Sequence, residues 1–177
     1  MKKAIKYFVI GIVVAVLSFL SIGLLHPSFE YENIITVEAP VEIVYEIFTN
    51  ESLSSEWLIG FQGYEILEGE PLTVGAQILM NFETDGQPYE FVETMTTIEE
   101  NMEFSFDIDS DMFDMNVQIL FAEYDGTTTL TSKTYTRGKN VVYRSFWYIL
   151  KGVFQEQAQM NYELLKGVIE REALLLD

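Results

Sequence analysis

Cysteine is absent from the 177 residues, which excludes disulfides, thiolate nucleophiles and Cys-ligated metals. The absence leaves the compartment open, since an oxidising space permits disulfides without requiring them. Histidine occurs once, as His26 beside an apolar run, where it reads as an interfacial polar residue. Everything downstream therefore lacks imidazole, and Ser-His-Asp triads, Cys-His pairs and His-based zinc or iron sites drop out. Neither a G-x-x-x-x-G-K-[ST] nor a G-x-G-x-x-G phosphate loop is present. Basic residues are scarce as well. Lys2, Lys3 and Lys6 open the chain, the next base is Lys133, and all 28 acids lie beyond residue 26. With a formal net charge of −18, this surface repels phosphate backbones and anionic headgroups. Nucleic acid is not an expected partner. The acids read as solvated faces that keep the molecule soluble.

What is present begins with a long apolar run. Tyr7 to Leu25 reads YFVIGIVVAVLSFLSIGLL, without a charge. As a helix these 19 residues extend ~28 Å, close to the ~30 Å hydrocarbon core of a bilayer. His26-Pro27 stops the run. The three lysines precede it and no base follows closely, so the positive-inside rule puts the N-terminus in the cytoplasm and the rest outside. A cleavable signal is the competing reading, although the run exceeds the usual ~7–15 residues and lacks a clean A-x-A site. Gly11 and Ala15 form a small-xxx-small pair of the kind short apolar stretches contain by chance. The expected organisation is an anchor over residues 1–27 and one domain over 28–177.

The domain is apolar and aromatic enough for a real core, with 14% aromatic residues in the chain. Tyr31–Glu38 alternates as a strand, with Tyr31, Ile35 and Val37 on one side. Pro40 opens a helical stretch in which Val41, Val44, Tyr45 and Phe48 share a face. Asn50 to Ser55 turns into a second short helix ending near Trp57. Strands follow at Gly63–Glu68, Ala76–Thr84, Tyr89–Ile98, the Met102–Asp109 alternation, Met115–Phe121 and Thr127–Arg137. Asp85-Gly86 and Asp125-Gly126 are hairpin signals. From Val141 to Glu172 the period changes to helical, and Val142, Phe146, Ile149, Val153, Gln157, Met160, Leu164 and Val168 define the expected core face. The order β-α-α-β6-α is an α+β arrangement in which one long helix covers an antiparallel sheet. A concave apolar space between them is where a ligand belongs.

Three stretches then carry a family resemblance: ITVEAPVEIVYEIFTN from Ile35, EWLIGFQGYEILEGEPLTVGAQ from Glu56, and RSFWYILKGVFQEQAQMNYELLKGVIE from Arg144. In this order they resemble the START/Bet v 1-like helix-grip superfamily (SRPBCC), and within it the polyketide cyclase/dehydrase-like group. The resemblance covers Ile34 to Glu170. It implies about seven strands gripping the C-terminal helix around a hydrophobic cavity, and no particular activity.

DIDSDMFD clusters Asp107, Asp109, Asp111 and Asp114, and its start imitates calcium-loop spacing, but an EF-hand needs glycine and glutamate where Met112 and Gln118 stand. It reads as a hairpin end with solvated acids, and no metal or cofactor is expected. Aromatic and sulfur side chains are the better contacts for a ligand: Trp57, Tyr64, Met80, Phe82, Tyr89, Phe91, Phe104, Phe106, Phe121, Tyr135, Phe146 and Met160. Any single one is more often mere core filling. Arg137 and Arg144 flank the junction of last strand and helix, where a salt bridge is the simplest role. Three functions follow in order: an apolar-ligand or lipid binder at a membrane, a cyclase- or dehydratase-like enzyme using Tyr135, Arg137 or an inward carboxylate, and a protein-interaction module. No catalytic constellation is visible.

Overall fold

The computed structural model describes residues 2–176. Helix α1 (Lys2–Leu25) leads through His26 and Pro27 into strand β1 (Ser28–Val37). Helix α2 (Val41–Thr49), a 3₁₀ turn (Glu51–Leu53) and the one-turn α3 (Ser54–Trp57) come next. Six strands follow: β2 (Phe61–Glu68), β3 (Gln77–Thr84), β4 (Gln87–Glu99), β5 (Glu103–Asp109), β6 (Phe113–Tyr124) and β7 (Thr127–Gly138). The chain ends in α4 (Val141–Leu176).

The seven strands form one antiparallel sheet in the order β1-β7-β6-β5-β4-β3-β2. Two-residue turns close the β3–β4 and β6–β7 hairpins as expected. Asp85 and Gly86, like Asp125 and Gly126, have positive φ, the geometry that matches the twist of the flanking strands. Register shifts at Phe61/Gly63, Ile66/Glu68 and Met95/Thr97 bend β2 and β4. Bulges of this kind raise local twist and curl the sheet. Its concave face receives the helices.

Alternation decides what lies on that face. Phe104, Phe106 and Ile108 of β5 and Val117, Ile119 and Phe121 of β6 point inward. Val44, Tyr45, Ile47 and Phe48 of α2 close over them, with Tyr45 and Phe48 packed edge-on against Phe121. Glu123 from β6 accepts the Val41 N–H at 2.9 Å, placing a carboxylate at the positive end of α2. Asn140 caps α4 by accepting the Val142 and Tyr143 N–H groups, both at 3.0 Å.

α4 grips the sheet with Ala158, Tyr162, Leu165, Val168 and Ile169. It also covers the free edge of β1. Gln155 and Gln159 donate side-chain N–H groups to the Glu32 and Ile34 carbonyls, and Asn33 donates to the Gln155 carbonyl and to Gln159 Oε1. An edge that would otherwise invite another strand is thus occupied.

The helix is rotated from its expected phase. Val142, Phe146, Ile149, Val153, Met160 and Leu164 face outward and are exposed, while only Val168 of the expected face is buried and Gln157 is half-buried. The reason is competition between two apolar faces on one helix. The face with Tyr162, Leu165 and Ile169 meets the sheet, and periodicity alone does not rank the two.

α1 is long and apolar enough to cross a membrane, with the length and composition of a span or of a signal sequence. Its last turn is packed on the first turns of α4. The Gly23 N–H donates to Ser145 Oγ at 2.9 Å, and His26 stacks on Tyr148 with centroids 4.1 Å apart. Any Cβ on Gly23 would collide with the Val141 carbonyl oxygen.

Candidate ligand cavity

Between the concave sheet and the helices lies a cavity of about 430 Å³. Its wall is built in layers. Phe48 and Thr49 end α2, and Trp57 and Leu58 come from α3 and its exit. Phe61, Tyr64, Ile78, Met80, Met95, Phe104, Phe106 and Ile119 rise from successive strands, and Ala158, Asn161 and Tyr162 descend from α4. Pro71 and Leu72 of the β2–β3 loop complete the rim. Leu72 holds a left-handed φ of 56°, a costly conformation for a side chain with a Cβ. The size falls within the ~300–1,000 Å³ of small-molecule sites, and the lining follows their pattern of apolar walls with few polar points.

The most unusual of those points is Glu93. β4 aims it into the concave face, with Ile78 of β3 and Ile108 of β5 as its cross-strand neighbours. Protein surrounds it, and it borders the cavity while remaining half-buried by accessible surface. Burial pushes its carboxyl from the ordinary 4.5 up to about 8, because a carboxylate here would lose its water without gaining a cation. At neutral pH Glu93 is mostly the neutral acid. Tyr162 shares the cavity, and its phenol is raised by burial, with the Ser132 hydroxyl partly offsetting this and Tyr31 and Glu93 adding to it. At the rim, Tyr64 is pushed up to about 12, first by desolvation and then by its hydrogen bond to Glu51 and the charge there. The buried Trp57 Nε1 has no acceptor. Among the described residues Glu51 and Glu93 are the only charged groups in the wall, and no lysine, arginine or histidine lines it.

Of the twelve residues proposed from sequence, the fold brings Trp57, Tyr64, Met80, Phe104 and Phe106 together in the cavity wall. Phe82, Tyr89 and Phe91 instead stack on one another near the β3–β4 hairpin, with Phe82 centroids 5.4 and 5.3 Å from the other two. Phe121 is sealed in the core between Tyr45 and Phe48. Tyr135 points to the outer side of the sheet, because β7 turns Thr134 and Thr136 inward. Phe146 and Met160 are on the outer side of α4, a consequence of the helix phase. Arg137 is also outward. Arg144, for which a salt bridge was expected, instead donates to the Gly138 carbonyl at 3.0 Å, and among the described residues it has no salt bridge. The aspartate run folds as expected of a hairpin end: Lys139 Nζ lies 2.6 Å from Asp109 and 2.5 Å from Asp114. Among the described residues no group of His, Cys, Asp or Glu is arranged to hold a metal ion.

A seven-stranded antiparallel sheet closed over a long C-terminal helix, with a cavity between, is the α+β helix-grip fold expected from the sequence motifs. More particularly, residues 38–169 match the family described as activator of Hsp90 ATPase homolog 1-like protein, and the chain belongs to that family. Solved structures share the fold at low identity. An aromatase/cyclase from Streptomyces sp. R1128 superposes with a TM-score of 0.68 at 14% identity, over 82% of this chain and 96% of that one. Ara h 8.0201 gives 0.66 at 13%, over 80% and 97%. Protein CV1439 from Chromobacterium violaceum gives 0.62 at 20%, over 80% and 98%. No curated protein matches the chain.

Proposed function

We propose that this chain binds a hydrophobic small molecule or lipid in its internal cavity while α1 anchors it in a membrane. The N-terminal lysines lie in the cytoplasm and the domain on the other side. The carrying observation is the apolar cavity of about 430 Å³ under α4. Its charge pattern narrows the ligand. Among the described residues two carboxyl groups and no base line it, so an anionic head would be buried without a counter-charge, whereas a neutral or cationic one is not opposed. The docking of α1 favours an anchor over a cleaved signal. Ser145 and Tyr148 are fitted to Gly23 and His26, contacts that removal of α1 would leave empty.

The test is uptake of a neutral apolar fluorophore by the purified chain. Ala158→Trp fills the cavity from α4 and should cut affinity at least tenfold with an unchanged circular dichroism spectrum. Equal binding by the variant would show that the ligand lies elsewhere.

Glu93 favours a second reading, an enzyme of the cyclase or dehydratase type. A carboxylic acid still protonated near pH 7, beside the Tyr162 phenol, is equipped to give a proton to a carbonyl or a departing hydroxyl. On this reading Glu93→Gln keeps ligand binding and loses turnover.

A further inference from the structure

α4 carries an apolar stripe that none of the described residues covers. Val142, Phe146, Ile149 and Val153 recur every three or four residues on its outer side and are 46–58% exposed. The stretch around them has a charge unlike the rest of the molecule. From Val141 to Gln155 there are two bases, Arg144 and Lys151, and no acid, in a chain of net charge −18. Tyr143, Trp147 and Tyr148 are interleaved, and Lys151 sits 4.9 Å over the Tyr148 ring.

The same stretch receives the end of α1. Gly23 is bonded to Ser145 and His26 is stacked on Tyr148, so the stripe begins beside the point where the long apolar helix stops. The last turn of a spanning helix sits at headgroup level, and whatever is packed rigidly on it is held at the same level. A helix with an apolar stripe on one side and bases on the opposite side, where helical spacing puts Arg144 and Lys151, has the composition of a helix lying in that interface, its apolar side sunk ~5–10 Å.

We propose that the first half of α4, Val141–Gln155, rests in the membrane interface, with the stripe toward the acyl chains and Arg144 and Lys151 among the headgroups. This rests on the reading of α1 as a membrane span. The bilayer is a better occupant than a second copy, because the stripe starts where α1 ends and is held at the level of the membrane surface by the Gly23–Ser145 and His26–Tyr148 contacts.

The absence of cysteine makes the test direct, since each single Cys substitution gives one labelling site. The full chain is labelled with an environment-sensitive fluorophore at Val13→Cys, Ile149→Cys, Val153→Cys or Asp125→Cys. Each is reconstituted into vesicles of phosphatidylcholine and phosphatidylglycerol. The expected result is deep lipid quenching at 13, quenching at 149 and 153 by nitroxides near the headgroups with blue-shifted emission, and full access of a water-soluble quencher at 125. Lipid quenching at 13 with water access at 149 and 153 overturns the proposal and leaves the anchor standing. Water access at 13 overturns the anchor and the proposal together. Labels at 149 that are shielded from both quenchers and exchange energy between copies assign the stripe to self-association and overturn the bilayer as its occupant.

Discussion

A single carboxyl group sets the chemistry of the cavity. Glu93 is held at about 8 against an ordinary 4.5, so the folded chain keeps a proton that the unfolded chain releases between those values. The raised value means that Glu93 costs no stability below pH ~4.5. The cost grows as pH rises toward 8 and levels off above it. Glu93→Gln, which cannot ionise, should match the wild type in thermal unfolding at pH 4 and exceed it by several degrees at pH 9. Equal melting curves across that range would place the carboxylate in water. The sequence carried its direction, since Glu93 alternates with Phe91 and Met95 on one face of β4, but not its burial. Glu93 is one of 28 acids, and its neighbours Glu90 and Glu99 on the same strand are exposed. Only the pairing of β4 with β3 and β5 puts Ile78 and Ile108 on either side of it. The aromatic wall was more readable. Phe104 and Phe106 alternate with polar residues on a short strand, and alternation fixes a face.

At the scale of the element, the strands and turns were readable because their signals are local: period two, and Asp-Gly at two hairpins. Helix α4 was readable as a helix and not in its phase. Two faces are apolar, and the choice between them belongs to the sheet. Neighbouring leucines make the phase measurable. Leu165 is fully buried and Leu164 is 45% exposed. Leu165→Ala should cost about 2–5 kcal/mol in urea unfolding, as large-to-small core changes do. Leu164→Ala should stay within about 0.5 kcal/mol, as exposed substitutions do. Reversal of that order would mean the helix grips the sheet with its other side. The same misphasing explains why Phe146 and Met160 appeared among the cavity candidates.

At the scale of the molecule, α1 and the domain are joined by packing as well as by sequence. Gly23 is the point of closest approach, where its missing side chain lets α1 reach Val141 and Ser145. Gly23→Leu should leave both helices intact and separate them. Protease cleavage near His26-Pro27 should accelerate severalfold, with the unfolding temperature of the domain nearly unchanged. A cleavage rate equal to the wild type would mean that the junction is open already.

The position of β1 has a consequence in time. It is the first strand made, yet its partner β7 and its cover α4 are made only after the other five strands, and Ser28 pairs with Arg137. At synthesis rates of ~5–20 residues per second, the first strand waits on the order of ten seconds for the last. Through that interval the inner face of the growing sheet has no lid, and the cavity does not exist. Closure is therefore the final event in the birth of this domain, and a chain cut short before Thr127 has no partner for β1 and no way to finish.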